Sequence, residues 1–258
     1  MITVHDLHKC YGAKPVLSGV SAHFPTQRLT SLIGPNGAGK TTLLMMIARL
    51  LEPGHGDIRL EGRSIADIAI GDYARRVATL RQSTDFNLRL TVAELVAFGR
   101  FPYSRGALTR DDQRAIDEAI GFLALEPLRH AYLDELSGGQ RQMAFLAMTI
   151  AQQTDYLLLD EPLNNLDMRH AVQIMRALRR LCDEFGRTVI LVVHDINFAA
   201  TYSDFIVAMK GGQVHCAGSV DEVVTEQRLH ALYGLEVEIS HSAGRRLCNY
   251  FNPSRDPK

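Results

Sequence analysis

The chain has 258 residues, 46% of them hydrophobic and 22% charged, with a formal net charge of −1. This is ordinary composition for a folded globular protein, and the balanced charge gives no bulk attraction to nucleic acid or anionic lipid. No apolar run reaches the ~18 residues of a membrane span, and the opening Met1-Ile2-Thr3-Val4-His5-Asp6 lacks the basic and apolar regions of a signal peptide. Cys10, Cys182, Cys216 and Cys248 form no Cys-x-x-Cys pair and read as isolated reduced thiols rather than disulfides or a metal site. If the protein works at a membrane, a partner must hold it there.

The first segments, Ile2–Val4 and Val16–Phe24, are β-rich, and the apolar run Leu29–Ile33 predicts a strand that ends in a glycine-rich turn. A helix is expected from Lys40 to about Leu50, stopped by Pro53-Gly54-His55-Gly56, with a half-buried strand at Ile58-Arg59-Leu60. From Leu90 to about Gln153 the pattern is helical. Thr91 (with Glu94 set for a capping box) and Asp111 are the expected N-caps. Apolar strands return at Tyr156–Leu159 and Val189–Val193, with a helix over about Met168 to Phe185 between them. From Gly211 the tail is expected to hold short strands and one helix. Continuous apolar strands alternating with helices predict an α/β core on a mainly parallel sheet, interrupted by a helical segment.

Three motifs carry the chemistry. Gly34-Pro35-Asn36-Gly37-Ala38-Gly39-Lys40-Thr41 fits G-x-x-x-x-G-K-[ST] between a strand and a helix, with Thr42 following inside the helix. Its glycines let successive backbone N–H groups converge on phosphate. The helix N-terminus adds positive potential, Lys40 can bridge the β- and γ-phosphates, and the Thr41 hydroxyl can ligate Mg²⁺. Tyr156–Leu159 ends in Asp160 and Glu161, where a buried parallel strand presents carboxylates to a ligand: Asp160 suits Mg²⁺ and Glu161 suits polarising an attacking water. Leu136-Ser137-Gly138-Gly139-Gln140 is a second polar glycine turn opening a helix. One nucleotide does not need two such helix ends from one subunit. The economical arrangement is a head-to-tail homodimer in which Ser137 and Gly139 face the γ-phosphate held by the other copy's Lys40, with Gly138 and Gln140 of the same turn also expected to bind the nucleotide.

With these motifs in this order, essentially the whole chain resembles the ATP-binding cassette family. The resemblance implies an α/β fold: a P-loop NTPase core with mainly parallel sheet, an antiparallel β subdomain at the N-terminus and an inserted α-helical subdomain. It implies one ATPase domain over 1–258, with about 1–85 and 155–258 as the catalytic core and about 86–154 as the helical subdomain bearing the signature Leu136–Gln140. It also adds residues. Tyr11 matches the aromatic that stacks on adenine, although a lone tyrosine also reads as packing. Gln82 matches the glutamine that ligates Mg²⁺ at the junction with the helical subdomain. Asn165-Leu166-Asp167 matches the loop that crosses the dimer interface. His194 matches the histidine that contacts the γ-phosphate, although a histidine opening a helix also reads as a cap. Arg81 stands where many members carry proline, and Cys10 where small polar residues are common; neither touches the catalytic assignment.

The stretches Phe98–Ser104 and Asp160–His170 resemble ATPases of bacterial iron–siderophore importers. Importers of haem, cobalamin or another metal chelate are the alternative within the family, and a soluble non-transport cassette ATPase the alternative outside it. The resemblance implies ATP and Mg²⁺ as ligands and a place at the cytoplasmic face of the cell (inner) membrane. It implies transmembrane permease subunits as partners, a periplasmic or lipoprotein substrate-binding protein as an indirect one, and no nucleic acid. Asp85–Leu88 and Phe101-Pro102-Tyr103 are expected either to receive a permease helix or to pack the core of the helical subdomain.

Overall fold

The computed structural model describes residues 1–81, 89–242 and 244–251. Its contacts divide the chain into two compact units, Met1–Asp67 with Ile190–Lys258, and Ile68–Val189. In chain order the first unit opens with β1 (Ile2–Tyr11), β2 (Lys14–Phe24), β3 (Leu29–Ile33), α1 (Lys40–Ile47), β4 (His55–Leu60) and β5 (Arg63–Ser64). The second carries α2 (Ile70–Ala74), β6 (Val77–Leu80), α3 (Val92–Phe98), the single turn α4 (Phe101–Ser104), α5 (Arg110–Phe122), α6 (Gly138–Ala151), β7 (Tyr156–Leu159) and α7 (Met168–Asp183). Strand β8 (Thr188–Val192) leads back into the first unit. There follow α8 (Ile196–Tyr202), β9 (Phe205–Lys210), β10 (Gln213–Ser219), the turn α9 (Val220–Val223), α10 (Glu226–Tyr233), β11 (Glu238–Ser242) and β12 (Arg245–Asn249).

In the first unit, an antiparallel sheet of order β2-β1-β4-β5 buries Ile2, Val4, Leu7, Val20, Phe24, Ile58 and Leu60. Alternation along β1 and β4 puts these side chains on one face, as a half-buried sheet requires. Strand β3 is buried at all its residues and pairs in parallel with β9, which pairs antiparallel with β10. A strand covered on both faces has no polar side to alternate with, which is why Leu29–Ile33 reads as a continuous run.

In the second unit, β6 and β7 pair in parallel, and β7 is buried throughout. The long helix α7 packs through Ile174, Met175, Leu178 and Leu181, which recur at helical spacing. The capping box expected at Thr91 is present: Glu94 N–H donates to Thr91 Oγ1 at 3.3 Å and Thr91 N–H to Glu94 Oε2 at 2.8 Å. The expected cap at Asp111 is not. Helix α5 starts two residues earlier, capped by Thr109 with Asp112 reaching back, so Asp111 lies in the first turn and pairs with Arg114 instead. The cap uses only one oxygen of the buried Asp112. Its Oδ1 accepts from Arg100 Nε at 2.8 Å, and Arg100 Nη1 also donates to Ala151 O at 2.9 Å and Gln153 Oε1 at 3.2 Å. One buried guanidinium thus ties the end of α3, the start of α5 and the C-terminus of α6.

The α/β class and the antiparallel N-terminal sheet hold as expected. Other details differ. Helix α1 ends at Ile47, because Arg49 turns left-handed at φ 58°. In the tail from Gly211 a separate turn, α9, joins the one helix expected there, and strand β9 lies just before it.

Candidate functional site

The first unit carries the glycine-rich loop Gly34–Thr41, the expected phosphate loop. Leaving β3, the chain turns at Gly34, whose φ is 138° and whose missing Cβ would lie 2.0 Å from Met209 O on β9. Gly39, at φ 94°, is the N-cap of α1; a Cβ there would lie 2.5 Å from Leu17 Cδ2. Both positions demand glycine, one for close approach and both for conformation. No side chain caps α1 and no acid stands in its first turn, so its backbone amides and positive dipole end are presented to the loop. Lys40 is buried, and its ammonium donates to Gly34 O at 2.7 Å and Pro35 O at 3.0 Å. It lies folded across the loop that its charge would share with phosphate. Tyr11, at the end of β1, is 53% exposed, which removes its reading as a packing residue.

His194 is exposed and follows Val193, whose N–H donates to Leu32 O at 3.2 Å. It is not a helix cap. That role belongs to Asp195, whose Oδ1 accepts from Asn197 N–H at 2.8 Å. His194 lines a cavity of about 190 Å³ with Ile196, Leu229, Tyr233 and Tyr250. Burial pushes the Tyr233 hydroxyl up to about 12, against a smaller lowering effect of the Gly34 backbone. Asn197 clamps β12 from both sides: its Nδ2 donates to Cys248 O at 3.2 Å, and its Oδ1 accepts from Cys248 N–H at 2.8 Å.

The second unit carries the acids. Asp160 is 1% exposed and continues the β6–β7 ladder through its N–H to Leu80 O at 2.9 Å. Glu161 then turns left-handed, at φ 52°, a conformation uncommon for a residue with a Cβ and concentrated at functional sites. Asn164 donates its side-chain amide to Glu161 Oε2 and its backbone N–H to Glu161 O at 3.2 Å, fixing that turn. Asp167 caps α7 and accepts from His170 N–H at 2.8 Å. Hydrogen bonds from the His170 backbone and then its ring hold the Asp167 carboxyl below the ordinary carboxylate range. Ser137 caps α6 in a closed box: Gln140 N–H donates to Ser137 Oγ at 3.3 Å, and Ser137 N–H to Gln140 Oε1 at 3.0 Å. Gln82 and the 85–88 stretch lie outside the described residues.

The sequence reading missed Asn164, His170 and Asn197. Only His170 left a trace, at the helical position where a side chain reaches back to its cap; that position commonly holds Glu or Gln.

The family model described as ABC transporter matches residues 17–164, more than half of the chain. The chain belongs to the ABC transporter family. Among ABC relatives it is 45% identical over 252 residues to "Petrobactin import ATP-binding protein YclP" of Bacillus subtilis (strain 168), covering 98% of this chain and all of that protein. It is 49% identical over 239 residues to "Petrobactin import ATP-binding protein FatE" of Bacillus anthracis, covering 93% and 96%. The dimeric structure of MJ0796, a bacterial ABC transporter cassette, superposes with a TM-score of 0.76 at 27% identity, covering 85% of this chain and 99% of that one. The ABC match includes the phosphate loop, the signature turn, Asp160 and Glu161, while Tyr11, Asp167 and His194 fall outside its bounds.

Proposed function

We propose that this chain is the ATP-hydrolysing subunit of a bacterial importer of iron–siderophore complexes. The observation that carries the reading is near-full-length similarity at 45% and 49% identity to two ATP-binding proteins named for petrobactin import. The local geometry supports it: a glycine loop ending in an uncapped helix with a buried lysine, and a buried strand ending in a structured acid pair.

In this reading two copies close head to tail over two ATP molecules. The loop amides, Lys40, Thr41 and Thr42 hold the phosphates, and Tyr11 stacks on adenine. Glu161, its backbone fixed by Asn164, orients the attacking water and takes its proton. His194 hydrogen-bonds the γ-phosphate. The other copy's Ser137, Gly138, Gly139 and Gln140 stabilise the transferring group, and Asp167 meets the opposing chain. Mg²⁺ would be held by Asp160, a buried carboxylate, with the Thr41 hydroxyl and the Gln82 amide oxygen. A sparse oxygen set suits an ion that takes its other ligands from phosphate and water. Mg²⁺ would neutralise charge on the phosphates.

No helix of the described residues is long and apolar enough to cross a membrane. The proposed membrane role, at the cytoplasmic face, therefore runs through permease subunits, with a substrate-binding protein beyond them. Phe98, Phe101 and Tyr103 are 47%, 59% and 37% exposed. They are surface residues rather than subdomain core, and they suit a permease contact. Phe101→Asp should then disrupt co-purification with the permease while leaving nucleotide binding intact.

The test is uptake of labelled ferric chelates, ferric petrobactin first, in a strain lacking this gene. Uptake should be lost, restored by the wild-type chain and not by Glu161→Gln. Unchanged uptake of every ferric siderophore in the deletion strain would overturn the cargo assignment.

A further inference from the structure

His170 joins the two segments of this chain that the proposed dimer turns toward its partner. The backbone N–H of His170 donates to Asp167 Oδ1 at 2.8 Å, and its ring Nδ1 lies 2.9 Å from both Asp167 oxygens. The same ring also occupies the space where Gly139 has no side chain. A Cβ on Gly139 would fall 2.4 Å from His170 Cγ and 2.6 Å from both Cδ2 and Nδ1. Separations under 3.0 Å are essentially never tolerated, and the obstructing atoms here belong to a planar ring fixed by its carboxylate rather than to a flexible chain end. Gly139 is therefore glycine for a reason beyond helix capping: the ring seats directly on its α-carbon.

We infer that His170 is a positioning residue that locks the signature turn Ser137–Gln140 to the Asp167 loop, so that both reach the partner copy as one rigid surface. This rests on the head-to-tail reading above. The charge-assisted pair with Asp167 fixes the ring, and the ring fixes the first turn of α6 at Gly139. The phosphate loop Gly34–Thr41 belongs to neither segment. The effect should consequently fall on association of two nucleotide-loaded copies and spare loading itself.

The experiment uses the full chain in a Glu161→Gln background, where ATP is bound and not consumed. Dimerisation with MgATP is followed by analytical ultracentrifugation, and ATP binding to the single subunit by fluorescence of a nucleotide analogue. His170→Ala should weaken ATP-dependent dimerisation by about tenfold, the scale of losing one charge-assisted hydrogen bond and its positioning, with analogue affinity within about twofold of the parent. His170→Asn places an amide nitrogen where Nδ1 stands and should recover part of the loss through Asp167. Equal dimerisation of parent and His170→Ala, or His170→Asn no better than alanine, overturns the proposal. A parent that stays monomeric at saturating MgATP overturns instead the head-to-tail reading on which it rests. If His170→Ala does not fold, His170→Asn against the parent still decides, because partial loss with normal analogue binding is required.

Discussion

Helices α1 and α6 both begin at glycine-rich turns, and their first turns are built in opposite ways. Helix α1 starts at a left-handed Gly39 with no side-chain cap and no acid in its first turn. Helix α6 starts at Ser137 in extended conformation, its first turn closed by a reciprocal box with Gln140. An open helix start leaves donors for a ligand to satisfy, whereas a closed one has already satisfied two of them from its own chain. The comparison supports the reading of Gly34–Thr41 as an anion site in its own right. The turn Ser137–Gln140 closes on itself through its own capping box, as the proposed role of a surface that meets a second copy requires. Helix α6 is also fastened at its far end, where Arg100 donates to Ala151 O.

The largest effect should follow at the open end. Lys40→Ala removes the only cation the loop itself carries, and nucleotide affinity should fall by more than ~10²-fold, on the scale of losing charge-assisted contacts to phosphate. Equilibrium binding of a fluorescent nucleotide checks it. Affinity near wild type would break the comparison, since α1 would then hold phosphate by dipole alone.

The next effect concerns what fastens α6. Arg100→Met leaves Asp112, 3% exposed, without its guanidinium, and should cost about 3–5 kcal/mol of stability, as breaking one side of a buried pair does. Urea unfolding would report it. The pair also carries a pH signature. Hydrogen bonds from the Thr109 backbone and hydroxyl, and then Arg100, hold the Asp112 carboxyl below the ordinary carboxylate range. A depressed folded value means the stabilisation is complete above that range and is lost as pH falls through and below it. The melting-temperature advantage of wild type over Asp112→Asn should be full at neutral pH and shrink under acid.

The smallest effect sits at the closed end. Ser137→Ala should cost about 1 kcal/mol, a lost N-cap, and should leave nucleotide binding to the single subunit unchanged. A loss of binding comparable to that of Lys40→Ala would mean that the two helix starts serve one nucleotide within one chain.

Much of this was legible in the sequence, and unevenly so. Leu29–Ile33 and Tyr156–Leu159 match β3 and β7 residue for residue, because buried parallel strands read as unbroken apolar runs closed by turn residues. Strand β6, Val77–Leu80, went unread: four residues carry no period, and nothing marks their ends. Asp111 was read as the cap of α5 and Thr109, which caps it, was not read at all, although residues of both types cap well. The choice fell to Asp112, which can reach back only to Thr109. For the site, the phosphate loop and the acids announce themselves through local spacing. The contacts of Gly34 with Met209, of Gly139 with His170 and of Asn197 with Cys248 join residues far apart in the chain. No local pattern records them.

The composite site proposed here is tested most directly by mixing two disabled chains. Lys40→Ala keeps a sound signature turn and a broken phosphate loop; Ser137→Arg keeps a sound loop and a blocked turn. Each alone should show almost no ATP hydrolysis and no MgATP-dependent dimer. Mixed, they should form a heterodimer with one complete site and regain both. A mixture no more active than the sum of its parts, with no heterodimer on ultracentrifugation, would contradict the claim that one copy's signature turn completes the other copy's phosphate loop.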